Sequence, residues 1–259
     1  MLDLLSSILQ KSLQRVRTTV VRLSFILQSY SGSIPQPGEI TRAHHGILFL
    51  DELTETPRHV LDSLREPLES GQVCISRARQ QSVFPARFQL VCALNPSPCG
   101  SFDGDLRSSR ATPDQILSYL NKISGPFLDR IDLQVDVPRQ PDALKHAQRP
   151  PDQSEESSAT LRSVVEQAQA RQYRRQDCLN HHLSPKQLQT VAALSDDDHT
   201  FLVAAMETLK LSHRAYHRTL RVARTIADLG ANDDIQRAHL LEAMSFRALD
   251  VLLNQLRTL

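Results

Sequence analysis

The chain carries two successive patterns of apolar positions. Between residues 31 and 138 short apolar runs alternate with segments of helical spacing. From about Glu155 onward the spacing is helical throughout. Ile47-Leu48-Phe49-Leu50, entered through Gly46, is a continuous apolar run of strand length, as expected of a strand covered on both faces of a parallel sheet. Phe88–Leu94 (FQLVCAL) is a second such run, and Asp132–Val137 alternates like a third strand. Val60, Leu61, Leu64 and Leu68 give Thr56–Glu69 a helical stripe. Gln72–Ser76 and Ser82–Phe84 flank the polar turn RARQQ and predict a hairpin. Thr112 followed by Pro113 opens a helix to Lys122. Beyond the proline-rich stretch 138–151 and DQSEESS, helices are predicted over Glu155–Arg175, Pro185–Ala193, Asp196–Lys210, His213–Asp228 and Asp234–Leu256. Ser184, Ser195 and Ser212 stand at N-cap positions and Gly230 stands at a stop.

Composition narrows this picture. A length of 259 residues suits two domains at the usual ~100–200 residues each. The net charge of +1 argues against a protein that coats a polyanion. No apolar run approaches the ~18–20 residues of a membrane span; the densest, Val20–Leu27, is broken by Arg22. The 4 cysteines form no CxxC pair, which fits a reducing, cytoplasmic setting rather than a disulfide framework. Residues 1–30 are helix-compatible and rich in Ser, Thr and Arg, with Asp3 the only acid. They read as a terminal helix or as sequence outside the fold in preference to a targeting peptide. Of the 8 glycines none is followed by lysine, so neither a P-loop nor a GxGxxG fingerprint occurs.

Four features carry candidate chemistry. Asp51 and Glu52 follow the first apolar strand, at the carboxyl end where open α/β sheets bind ligands. One carboxylate of such a pair can hold a Mg²⁺ shell while the other polarises a water, although acids also end strands simply on meeting solvent. Asn95-Pro96 follows the second strand; it reads as a phosphate-sensing amide or as a turn. Arg130, in GPFLDRID, can pair with a phosphate in a bidentate fork or with Asp129 or Asp132. Arg214, Arg218 and Arg221 form one basic helical stripe, either solvated or phosphate-facing. The 10 histidines show no HExxH, and His213 and His217 are flanked by arginines, which argues against metal binding by histidine.

The order of these elements is more telling than any one of them. PQPGEITRAHHGILFLDEL, LREPLESGQVCISRA, FPARFQLVCALNPSPCG, TPDQI, SGPFLDRIDLQVDVP and LSHRAYHRTLRVARTIADL resemble the magnesium-chelatase-like AAA+ ATPases of the ComM (YifB) competence-helicase type, over roughly residues 33–259. The resemblance implies an α/β fold: a partial three-layer AAA+ core with a β-hairpin insertion, followed by an all-α helical lid domain. Its divisions are a non-homologous segment 1–32, the C-terminal part of the ATPase core over 33–138, a linker over 139–154 and the lid over 155–259.

By the same resemblance Asp51 and Glu52 match the Walker B acids, Asp51 holding Mg²⁺ through water and Glu52 activating the attacking water. Asn95 matches sensor 1, Arg130 the arginine finger offered to an adjacent subunit, and Arg214 the sensor 2 arginine. Arg77 and Arg79 on the hairpin, with Arg218 and Arg221, become candidates for DNA contact. ATP and Mg²⁺ are the implied cofactors, and a homo-oligomeric ring, a hexamer, and DNA are the implied partners, with no membrane association. The family's Walker A segment has no counterpart here, which reads as an N-terminally truncated or frameshifted form, inactive alone. The expected function is that of a fragment of a DNA-associated branch-migration ATPase. The alternatives are a non-catalytic ring-assembly or DNA-binding remnant, and a chelatase-type subunit for metal insertion into porphyrin.

Overall fold

The computed structural model describes residues 18–20, 37–77, 80–100, 109–137 and 157–258. The chain divides into two compact units, Met1–Arg130 and Ile131–Leu259. The proline-rich linker expected at 139–154 lies outside the described residues.

The first unit holds a three-stranded parallel sheet in the order β1 (Thr18–Val20), β2 (Ile47–Leu50), β5 (Gln89–Cys92). Ile47 lies opposite Gln89 and Leu50 opposite Cys92. The apolar run of β2 sits at the centre of this sheet, with Leu48 and Leu50 buried. β1 falls within the stretch read as helix-compatible. Thr18-Thr19-Val20 is β-branched at every position, which favours a strand once a parallel partner is present, and it pairs with Ile47-Leu48-Phe49.

Between β2 and β5 the expected hairpin forms as β3 (Gln72–Arg77) against β4 (Gln80–Pro85), antiparallel, with Gln72 opposite Pro85. The single helix expected over Thr56–Glu69 is instead two, Arg58–Ser63 and Arg65–Ser70. Pro67 has no N–H to give the carbonyl four residues back, and the Ser63 hydroxyl donates to the Val60 carbonyl instead of leaving the turn regular. The helix Pro113–Leu120 starts as expected, on a Thr112–Gln115 capping box. Leu53, Val60, Leu61, Leu64, Ile116, Leu120, Ile123 and Phe127 complete the core of this unit.

The second unit is helical: Ser158–Gln176, Pro185–Val191, Asp196–Thr208, His213–Leu229, Arg237–Ser245 and Ala248–Thr258. Ser184, Ser195 and Ser212 each accept an amide hydrogen bond from the residue three further on. Leu183, Leu188, Leu202, Leu220, Ala223, Ala227 and Leu240 form its core. Two expectations fail here. Asp132–Val137 is not a sheet strand: it makes a single parallel bridge, Gln134 to Arg247, inside the helical unit, and Leu133, Val135 and Val137 are exposed. The last predicted helix breaks at Phe246, because the buried Arg247 turns to donate to the Ile131 carbonyl at 3.0 Å. The mixed α/β block followed by an all-helical block is as the sequence reads.

Candidate functional site: a polar cleft at the carboxyl end of the parallel sheet

The site is built where β2 and β5 end side by side. Beyond Leu50 the ladder continues for one bond, Ala93 N–H to the Leu50 carbonyl at 2.9 Å. The chain then returns, with Leu53 N–H donating to the Ala93 carbonyl, also at 2.9 Å. Asp51 and Glu52 are thus bracketed by two bonds to Ala93, the residue just past β5, and Asn95 follows it by two positions. Both carboxylates are exposed. Glu52 closes the turn in the left-handed region, at φ 50° and ψ 53°, and its amide donates to Asp51 Oδ1 at 2.9 Å. A left-handed non-glycine residue is strained, and such residues gather at functional sites.

Past Glu52, the short 3₁₀ turn Leu53–Glu55 packs inward on Leu53 and Thr54. A cleft of about 230 Å³ opens here, lined by Glu52, Thr54, Glu55, Asn95, Ser97, Pro98, Gly100 and Tyr119. Glu52 and Asn95, which the sequence singled out separately, share one cavity. Its donors are carboxylate, amide, hydroxyl and phenol groups, a hard-oxygen set suited to Mg²⁺ or phosphate rather than to a thiolate-loving metal. Among the described residues no cluster of three or more His, Cys, Asp or Glu is arranged to hold a metal unaided. Cys92, in β5, has its thiol pushed up to about 12 by burial, which leaves it a packing residue.

Arg130 is held within the α/β unit, while Asp132 is paired with Arg218. The Arg130 side chain, 7% exposed, binds Glu69 at 2.7 Å, donates to the Arg65 carbonyl at 3.2 Å, and also donates to the Pro126 carbonyl. It therefore ties the turn Gly125–Leu128 to the helix that leads into the β3–β4 hairpin. Arg77 ends β3 opposite Gln80, and Arg79 lies outside the described residues.

In the helical unit Arg214 is exposed near the start of the His213–Leu229 helix. The stripe beyond it is not the open basic face considered from the sequence. Arg218, its side chain 15% exposed, pairs with Asp132; Arg221 donates to the Leu183 carbonyl; and Arg224 is buried against Asp228. Sequence reasoning missed Thr54, Ser97 and Tyr119, because no spacing announces a contact between residues 65 positions apart.

Two family profiles match successive parts of the chain. The profile described as "Magnesium chelatase, subunit ChlI" matches residues 7–144, and that of the subunit's C-terminal region matches residues 155–247. The chain belongs to the magnesium chelatase ChlI family. Within it, the chain is 50% identical over 230 residues to "Uncharacterized protein YifB" of Salmonella typhimurium, covering 88% of this chain and 44% of that protein. It is 49% identical over 228 residues to the YifB protein of Escherichia coli, with the same coverage. Against "Competence protein ComM" of Haemophilus influenzae it is 48% identical over 225 residues, 87% of this chain and 43% of that protein. The likeness to the YifB and ComM group expected from the sequence is borne out. This ChlI-family chain spans less than half the length of these relatives.

Proposed function

We propose that the chain is the water-activating and lid portion of a ComM/YifB-type AAA+ ATPase that works on DNA. The observation that carries this reading is the shared cleft. Glu52 and Asn95, each a few residues past the end of one of two adjacent parallel strands, line the same polar cavity at the strands' carboxyl ends.

The residues present suit Mg²⁺ and a phosphate chain. Asp51 is the oxygen ligand that would hold the ion through water, with substrate phosphates filling other positions, as is usual for Mg²⁺. When bound, the ion would neutralise charge building on the phosphoryl oxygens. Glu52 would orient the attacking water and take its proton. The Asn95 amide would donate to a terminal phosphate oxygen. Arg130 and Arg214 are proposed as guanidinium partners of that charge, Arg130 toward the nucleotide of an adjacent copy in a ring. In that role Arg130 must leave Glu69. For DNA, Arg77 and Arg79, which the sequence assigns to the hairpin, are better candidates than Arg218 and Arg221, which are engaged inside the helical unit.

The 259 residues include no Gly-Lys pair to cradle the β- and γ-phosphates. The isolated chain is therefore expected to hydrolyse ATP at background rate. Activity is expected in a hybrid in which this chain replaces the matching region of the Salmonella relative. Mg²⁺-dependent hydrolysis by that hybrid, stimulated by DNA, should fall by at least about 100-fold with Glu52→Gln while nucleotide binding persists. Unchanged turnover in E52Q overturns the assignment, and stimulation by a porphyrin instead of DNA favours the chelatase-type alternative. The missing Gly-Lys also keeps a second reading open, a non-catalytic ring module. Altered hydrolysis when the chain is mixed with the intact relative supports that one.

A further inference from the structure

Glu52 lies in a strained turn, and the structure shows what holds the turn. Thr54, two residues on and 2% exposed, donates through Oγ1 to the Tyr119 phenol oxygen at 2.6 Å. Tyr119 comes from the last turn of the helix Pro113–Leu120, 65 residues away in sequence, and lines the same cleft as Glu52 and Asn95. A second tie runs beside the first: Lys122 Nζ lies 3.5 Å from Glu55 and 4.7 Å from the Tyr119 ring centroid. On its other side the turn is held by the bond from Leu53 N–H to the carbonyl of Ala93, just past the end of β5. The exposed salt bridge is worth little in water. The short hydroxyl–phenol bond, shielded by the buried Thr54, is the specific contact.

We propose that Tyr119 is a positioning residue for the cleft, fixing through Thr54 the turn that aims Glu52 toward Asn95. This rests on the reading of Glu52 as the water-activating carboxylate. The phenol does not move a proton in this scheme; it restricts where the Glu52 carboxylate can point. Catalytic carboxylates are sensitive to displacements of about 1 Å, so loss of the tether should act on turnover rather than on binding.

Tyr119→Phe removes only the phenol oxygen and keeps the ring under Lys122; Thr54→Val removes the other end. In the ATP-hydrolysing hybrid each is expected to lower kcat about tenfold with KM nearly unchanged. The double variant should be no worse than either single one, because both break the same bond. Thr54→Ser, which keeps the hydroxyl, should restore turnover. In the 259-residue chain itself, both Tyr119→Phe and Thr54→Val should speed amide hydrogen exchange at Leu53 and Glu55 by roughly tenfold, with the core of β2 unaffected. Wild-type kcat in Y119F, or additive losses in the double variant, overturns the proposal. If exchange rises in both variants but Glu52→Gln leaves turnover intact, the tether stands and the reading of the site falls.

Discussion

Glu52 sits where an L-residue pays for its side chain: the left-handed region costs roughly 1–2 kcal/mol relative to a right-handed or extended one, at φ 50° and ψ 53°. Glycine relieves that strain but loses the carboxylate. Glu52→Gly is therefore expected to stabilise the α/β unit by about 1 kcal/mol, read as a higher denaturation midpoint, while abolishing hydrolysis in the hybrid. A lower midpoint would mean that the carboxylate, not the backbone, holds the turn. At this scale the sequence exposed the acids and the amide as candidates, since their position after apolar runs is a one-dimensional signal. It could not show that Glu52 is left-handed, because that follows from the pair of bonds that Ala93 makes to Leu50 and Leu53.

Among the elements, the helix His213–Leu229 departs most from its appearance in sequence. Arginines at i, i+4 and i+7 suggest one solvated face, yet Arg218 and Arg221 are taken up within the unit. Arg218 meets Asp132, and Arg221 reaches back to cap the Leu183 carbonyl. Arg218→Ala is expected to lower the stability of the helical unit by about 1 kcal/mol, because the Asp132 side chain is 58% exposed and solvent weakens the ion pair. It should leave the affinity of the hybrid for DNA, and the salt dependence of that affinity, unchanged. A reduced salt slope in this variant would return the helix to the DNA-binding surface. The caps of this unit were legible because serine at an N-cap acts on its own amides, three residues away. The break at Phe246 was not, since it answers to the contact of Arg247 with Ile131, 116 residues distant.

On the scale of the whole molecule, each unit has its own core, and the helical one also has a buried ionic centre. Asp228, 1% exposed, is bound by Arg175 at 2.6 Å and Arg224 at 3.0 Å, and it accepts from Asn180 at 2.9 Å. Burial alone would raise its carboxyl. The hydrogen bonds from Arg175 and Asn180 and the charge of Arg224 outweigh that and hold it below the ordinary 3.8. A carboxyl depressed in the folded state stabilises the fold above its unfolded value and loses that contribution as pH falls through the folded one. The helical unit should therefore weaken below about pH 4, and Asp228→Asn should flatten that acid limb. Asp228→Ala leaves two guanidinium groups facing each other and is expected to cost about 3–5 kcal/mol, seen in the unfolding of the helical unit. An acid limb unchanged in Asp228→Asn would assign it to other carboxylates.

By itself the sequence determined the two-block organisation, the two strands β2 and β5, the hairpin, the helix caps and the carboxylate and amide candidates, because each depends on periodicity or on neighbours within about one turn. Only the tertiary structure decided that Glu52, Asn95 and Tyr119 share one cleft, that Arg130 is bound to Glu69, and that Arg218 and Arg221 are satisfied internally. These are contacts between charged or polar groups far apart in the chain. Their partners are selected by where packing brings two elements together, which no local pattern encodes.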